Sequence, residues 1–307
     1  MSNRGQNPQA LQGKETHPEH VLERLTAREA DVGGIPVARV IPVRGRRVIG
    51  PWCFLDHAGP VQFSESNQGF DVGPHPHTGL QTFTWMLEGE VLHRDSLGNE
   101  QVIKPGQVNL MTAGRGIVHT EESLSKSGAL HATQLWIALP KEDKATAPRF
   151  DHYPKLPRWT QDKVDFTLLT GNYQDQKAPT LHFSPILGMD IQSPGDSELK
   201  LSLDTNFEHG VFVLQGELEI EGETFTENEL AFLGLGREHI ECKLKAGSRV
   251  LLVGGEPLES EIVIWWNFVG HSKEEVRQAV TDWQQGTSRF GKVEGYDGPP
   301  MEAPSLP

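Results

Sequence analysis

Short apolar runs cut by turn residues begin near residue 30 and fill most of the 307-residue chain, which restricts it to a β sandwich or barrel. In "QTFTWMLEGEVLHRD", Phe83, Trp85 and Leu87 alternate with Thr82, Thr84 and Met86 at the period of a strand, and Glu88-Gly89-Glu90 then turns the chain. Leu97-Gly98-Asn99 and Lys104-Pro105-Gly106 supply the next turns, so hairpin follows hairpin. Helical spacing appears first in "SKEEVRQAVTDWQQG". There Val276, Ala279, Val280 and Trp283 would share one face, Ser272 and Glu275 form a capping-box pattern, and Gly286 marks the stop.

The strand pattern occurs twice. "MLEGEVL" at 86–92 matches "VLQGELE" at 213–219, and "KPGQVNLMTAGRGIVHTEE" matches "TENELAFLGLGREHIECK". Two copies of one β unit are expected, joined through the Pro-rich segment at 147–159. The expected divisions are a flexible N-terminus (1–24), a first barrel with the chemistry (25–150), and a second, degenerate barrel with the helix and tail (151–307).

The chemistry-bearing residues fall in two short segments. In "GPHPHTG", residues 73–79, Pro76 disfavours helix at His75, so His75 and His77 lie on extended chain and point to one side. In "AGRGIVHTEES", residues 113–123, His119 and Glu121 have the same spacing, and the intervening turns fold this segment back toward the first. Three imidazoles and a carboxylate suit a borderline divalent transition metal better than calcium or magnesium, with coordination positions left open for water or substrate. His57, in "FLDHAGP", is a weaker candidate. His93, His131, His152, His182 and His271 call for no role beyond ordinary hydrogen bonding. In the second copy His239 and Glu241 match His119 and Glu121, but Ser202 and Asp204 fall where His75 and His77 should be. One metal per chain is therefore expected, with Asp204, His239 and Glu241 a weak set of three at best.

Composition limits the partners. Lys and Arg number 28 against 42 Asp and Glu, a formal charge of −14, which repels phosphate backbones and anionic lipid and argues against direct nucleic-acid or membrane binding. No apolar run of about 18 residues and no signal-peptide core is present. Cys53 and Cys242 form no CxxC pattern, and a reducing cytoplasm is the expected compartment.

"VGPHPHTGLQTFTWMLEGE" with "MTAGRGIVHTEES" closely resembles the pirin family of the cupin superfamily. The likeness extends to "VGGIPVARVIPVRGRRVIGPWCFLDHAGP", to "GGEPLESEIVIWWNFV", and to the late helix and the "APSLP" tail, roughly residues 25 to 307. The resemblance implies an all-β bicupin, two β-barrels with a short C-terminal helix and one mononuclear metal, usually iron as Fe2+, in the N-terminal barrel. By position the family's ligands fall on His75, His77, His119 and Glu121. The fourth residue after the second histidine, Glu in the general cupin pattern, is Gln81 here, which removes any proton transfer from that position.

Two activities follow from the resemblance. Some pirins resemble quercetin 2,3-dioxygenase, cleaving a planar flavonol with O2 and releasing carbon monoxide. Glu121 would then be the base, and Phe83, Trp85 and Met111 are candidates to line the pocket. Other pirins look like iron-dependent, redox-sensitive modulators of a protein partner. The enzyme reading is favoured, because an open metal site suffices for it.

Overall fold

The structure, a computed structural model, describes residues 17–64, 69–124 and 127–306; the first sixteen residues of the N-terminus expected to be flexible lie outside them. The strands of the first half are β1 (Glu23–Thr26), β2 (Arg28–Val32), β3 (Ile35–Ile41), β4 (Trp52–Phe63), β5 (Asp71–His77), β6 (Leu80–Glu88), β7 (Val91–Asp95), β8 (Glu100–Ile103), β9 (Val108–Thr112), β10 (Ile117–Ser123), β11 (Gly128–Ala138) and β12 (Arg149–Tyr153). The second half holds β13 (Arg158–Gln161), β14 (Val164–Tyr173), β15 (Gln176–Lys177), β16 (Ile186–Ser193), β17 (Ser197–Ser202), β18 (Glu208–Gln215), β19 (Glu217–Ile220), β20 (Glu223–Thr226), β21 (Glu229–Gly234), β22 (His239–Leu244), β23 (Ser248–Gly255), β24 (Val263–Trp265), β25 (Phe268–Gly270) and the helix α1 (Lys273–Gln284).

Each half makes one large and one small sheet. The first pairs β12-β9-β6-β11-β4-β3-β2 with β5-β10-β7-β8, and the second pairs β1-β21-β18-β23-β16-β14-β13 with β17-β22-β19-β20. The same order of connections on both sides bears out the repeated unit and the bicupin architecture. β1, from the start of the chain, completes the edge of the second half's large sheet at β21.

The two large sheets pack back to back. Trp52, Phe83, Trp85, Leu110 and Leu135 of the first meet Phe212, Leu214, Phe232 and Leu251 of the second in one buried cluster. Burying each such side chain contributes about 1.5–3 kcal/mol, so the seam is a true core. Trp52 also donates its indole N–H to the carbonyls of Leu187 (3.1 Å) and Gly254 (3.0 Å) across it. This seam corrects one expectation: Phe83 and Trp85 do not line the first barrel's interior but face the partner sheet. Met111 belongs to a different cluster, with Phe54, Leu80 and Trp136.

The C-terminal segment returns to the first barrel. Phe268 bridges Thr78, and Val269 N–H donates to the Thr78 carbonyl at 3.0 Å. Gly79 makes this approach possible: its φ is +68°, and a Cβ there would stand 2.2 Å from the Val269 carbonyl oxygen. In α1 the expected face holds, with Val276, Ala279 and Val280 buried against Val118, Trp265, Phe268 and Phe290. Ser272 Oγ accepts from Glu275 N–H as a capping box requires, but the Glu275 carboxylate reaches back to His271 N–H, one residue earlier than the box predicts.

Candidate metal centre

β5 and β10 run antiparallel, with His75 directly opposite His119 and His77 opposite Ile117. The HxH and HxE segments therefore meet as their spacing predicts. Candidate ligand atoms of His75, His77 and His119 lie within 4.8 Å of one another, and all three residues are buried. Ring centroids are 4.2 Å apart for His75 and His119 and 5.1 Å for His77 with either of the others.

The hydrogen bonds sort the six ring nitrogens into two sets. His75 Nδ1 bonds the Gly73 carbonyl at 2.9 Å, His77 Nδ1 the Asn267 carbonyl at 3.0 Å, and His119 Nδ1 bonds His93 Nδ1 at 3.3 Å. A carbonyl only accepts, so His75 and His77 carry their protons on Nδ1 and keep the lone pair on Nε2. The three Nε2 atoms are buried without a hydrogen-bond partner. A buried, unpartnered imidazole nitrogen costs stability unless something else binds it. Three converging on one point is the donor arrangement of a metal site whose ligands are held from behind through their other nitrogen.

Burial also sets the charge. It pushes all three imidazoles well below the ordinary histidine range, and neighbouring histidines add to the effect for His75 and His119. The neutral imidazole that a metal requires is thus the resting form. Trp136 packs edge-on against His77 with centroids 5.2 Å apart, and stacks on Phe54 at 4.0 Å, so one side of the centre is apolar.

Glu121 stands two residues beyond His119 on β10 and is buried, but it is not in the close set of three. The β5–β10 register shifts between His119 and Glu121: β5 advances from His75 to Val72 while β10 advances by two residues. On its other side Glu121 pairs with His93 of β7. Gln81 donates its amide to Thr112 Oγ1 (3.0 Å) and to the Leu181 carbonyl (3.3 Å).

His57 belongs elsewhere. It bonds His131 Nε2 at 2.6 Å and Asn228 Oδ1 at 2.7 Å, with its ring edge-on to Phe212, at the junction of the two halves. In the second half the face pattern moves the repeat by one residue. Ile240 lies opposite Leu201 where His119 lies opposite His75, and Leu199, Leu201, Ile240 and Cys242 all join the barrel core. His239, Glu241 and Asp204 point outward and are exposed, so they form no cluster.

Sequence reasoning passed over two residues that touch the site. His93 contacts His119, is stacked on Phe150 at 4.2 Å, and bonds Asp95 Oδ2 at 3.0 Å. The H-x-D spacing of His93 and Asp95 repeats that of HxH and HxE and was the available signal. Asn267, whose main-chain carbonyl orients His77, lies 190 residues away and no local pattern marks it.

Beside β5 runs an open groove of about 840 Å³, bordered by Val72, Gly73, Trp266, Tyr296 and Met301. The tail that walls it is tied down by Met301 N–H to the Pro74 carbonyl (2.8 Å) and by Tyr296 Oη to Asp71 (2.9 Å). Among the described residues no helix is long and apolar enough to cross a membrane.

Residues 34–137 match the model of the pirin domain, and residues 188–291 that of the pirin C-terminal cupin domain. A Pseudomonas aeruginosa protein that carries the provisional name quercetin 2,3-dioxygenase is 57% identical over 290 residues, covering 94% of this chain and 92% of its own. A pirin-like protein of Caulobacter vibrioides is 37% identical, covering 86% and 93%. The crystal structure of a quercetin 2,3-dioxygenase from Acinetobacter baumannii superposes with a TM-score of 0.90 at 45% identity, covering 93% of this chain and 96% of that one.

Proposed function

The chain belongs to the pirin family, and from that premise we propose that it is a metal-dependent dioxygenase that cleaves flavonols such as quercetin with O2. The observation that carries this reading is the set of three buried, unpartnered Nε2 atoms of His75, His77 and His119. In this reading they hold one divalent metal, iron as Fe2+, with Glu121 as the fourth ligand. Such a centre supplies Lewis acidity toward an oxygen ligand and redox activity toward O2.

The protein's own groups have separate tasks. The three imidazoles, neutral at rest and fixed through Nδ1, hold the centre without a proton having to leave first. Glu121 accepts the proton of the flavonol 3-hydroxyl, a role supported by its burial and its place two residues from His119 on the same strand. Trp136, Phe54 and Met111 keep one flank of the site apolar, which excludes water from the reacting groups. A cytoplasmic setting is in keeping with two buried cysteines, Cys53 and Cys242, that are not joined.

The test is aerobic incubation of Fe2+-loaded protein with quercetin, following loss of the flavonol and release of carbon monoxide. Turnover that disappears on chelation and returns on reloading is the expected result. A loaded protein that leaves quercetin intact would reject the enzyme reading in favour of a redox-sensitive modulator of a protein partner.

A further inference from the structure

We propose that His93 and Asp95 are positioning residues for this centre: they fix the tautomer of His119, an inference that rests on the metal-centre reading above. Asp95 accepts from Leu97 N–H (2.9 Å), Asn99 N–H (3.1 Å) and Asn99 Nδ2 (3.0 and 2.9 Å to its two oxygens). A carboxylate ringed by donors can only accept, so the remaining contact, His93 Nε2 at 3.0 Å, is an N–H donating to it. A neutral imidazole protonated on Nε2 has a bare Nδ1. With His93 in that neutral form, its Nδ1 can only accept, and His119 Nδ1, 3.3 Å away, donates to it. That leaves the His119 lone pair on Nε2, the atom that converges with those of His75 and His77.

The direction of this chain matters. Run backwards, it would place a proton on His119 Nε2 and block coordination there. His75 and His77 are protected from that reversal because their partners are main-chain carbonyls, whereas His119 depends on two side chains. Strand register supplies the arrangement: β7 sets Asp95 opposite His119 and His93 opposite Glu121. The Phe150 ring lies 14° from the plane of His93 and fixes its orientation.

Asp95→Asn tests the direction, because an amide N–H₂ can donate to His93 and reverse the chain. His93→Leu and His93→Asn, of similar size, test the acceptor, since the Asn oxygen falls near the position of Nδ1. Affinity for cobalt(II) is measured by chelator competition, with visible absorption reporting the ligand field and thermal unfolding of the metal-free proteins reporting the fold. Asp95→Asn and His93→Leu should each bind about 10- to 100-fold more weakly than the parent, the usual cost of removing a ligand's outer partner, with His93→Asn close to the parent. Parent affinity in Asp95→Asn, or equal losses in His93→Leu and His93→Asn, would overturn the proposal. If His93→Leu does not fold, Asp95→Asn decides alone. A parent protein that binds no cobalt would overturn the metal-centre reading itself, and this inference with it.

Discussion

His75 and His119 face each other across two antiparallel strands with ring centroids 4.2 Å apart, so the centre exists only in this register of β5 against β10. A slip of one residue would turn one imidazole to the opposite face of its sheet. The pairing is held on the far side of β10 by β7 and over β5 by the returning C-terminal segment.

Glu121→Gln keeps an oxygen that can coordinate but removes the charge and the proton acceptor. Metal should still bind when supplied in excess, with lower affinity. Quercetin turnover by the reloaded variant should fall by about 100-fold or more, the scale of a lost general base. Turnover at the parent rate would show that Glu121 moves no proton.

Phe268→Ala probes the C-terminal segment. Phe268 is fully buried and bridges Thr78, next to the Asn267 carbonyl that holds His77. Truncation should cost about 3–5 kcal/mol in denaturant unfolding and, by loosening that carbonyl, weaken metal retention about tenfold. A destabilised variant with unchanged metal affinity would mean the segment only packs.

Asp56→Ala removes half of a buried ion pair. Asp56 and Arg39 are both fully buried and doubly bonded at 2.6 and 2.7 Å, with the guanidinium 4.4 Å over the Phe54 ring. Taking the buried carboxylate away from Arg39 should cost about 3–5 kcal/mol in urea unfolding. A change under about 1 kcal/mol would show that water or another group satisfies Arg39.

Stability of the metal-free protein should fall with acid. Burial pushes His209 down to about 4, and burial with the neighbouring His57 does the same to His131, whereas the unfolded chain titrates near 6.5. Between these values the unfolded state binds protons that the folded state does not, so the contribution is whole above about 6.5 and is lost as pH falls to about 4. His209→Gln should flatten this slope in urea titrations across that range. An unchanged slope would exclude His209 as a source.

The strand content, the repeat and the three histidines were legible in the sequence because alternation and turn residues are local signals, and HxH and HxE each report a face. The pairing was not: of the three turns expected to close hairpins only Leu97-Gly98-Asn99 joins paired strands, β7 and β8, while the other two carry the chain between the large and the small sheet. What was not legible depends on what lies across a sheet. Phe83 and Trp85 alternate like residues of a pocket, and only the second large sheet shows that they belong to the seam. His239 looked equivalent to His119 until pairing with Ser202 placed it on the outer face and put Ile240 inside. His93 became part of the site through β7 pairing with β10, and Asn267 through a chain return no periodicity reveals.

Elemental analysis of untagged protein, in parallel with His77→Ala and His239→Ala, tests the central claim most directly. One equivalent of transition metal per chain is predicted for the parent and for His239→Ala, whose substituted residue is exposed on the second barrel, with little or none retained by His77→Ala. Two equivalents in the parent, or metal that persists in His77→Ala and is lost in His239→Ala, would contradict a centre built on His75, His77 and His119.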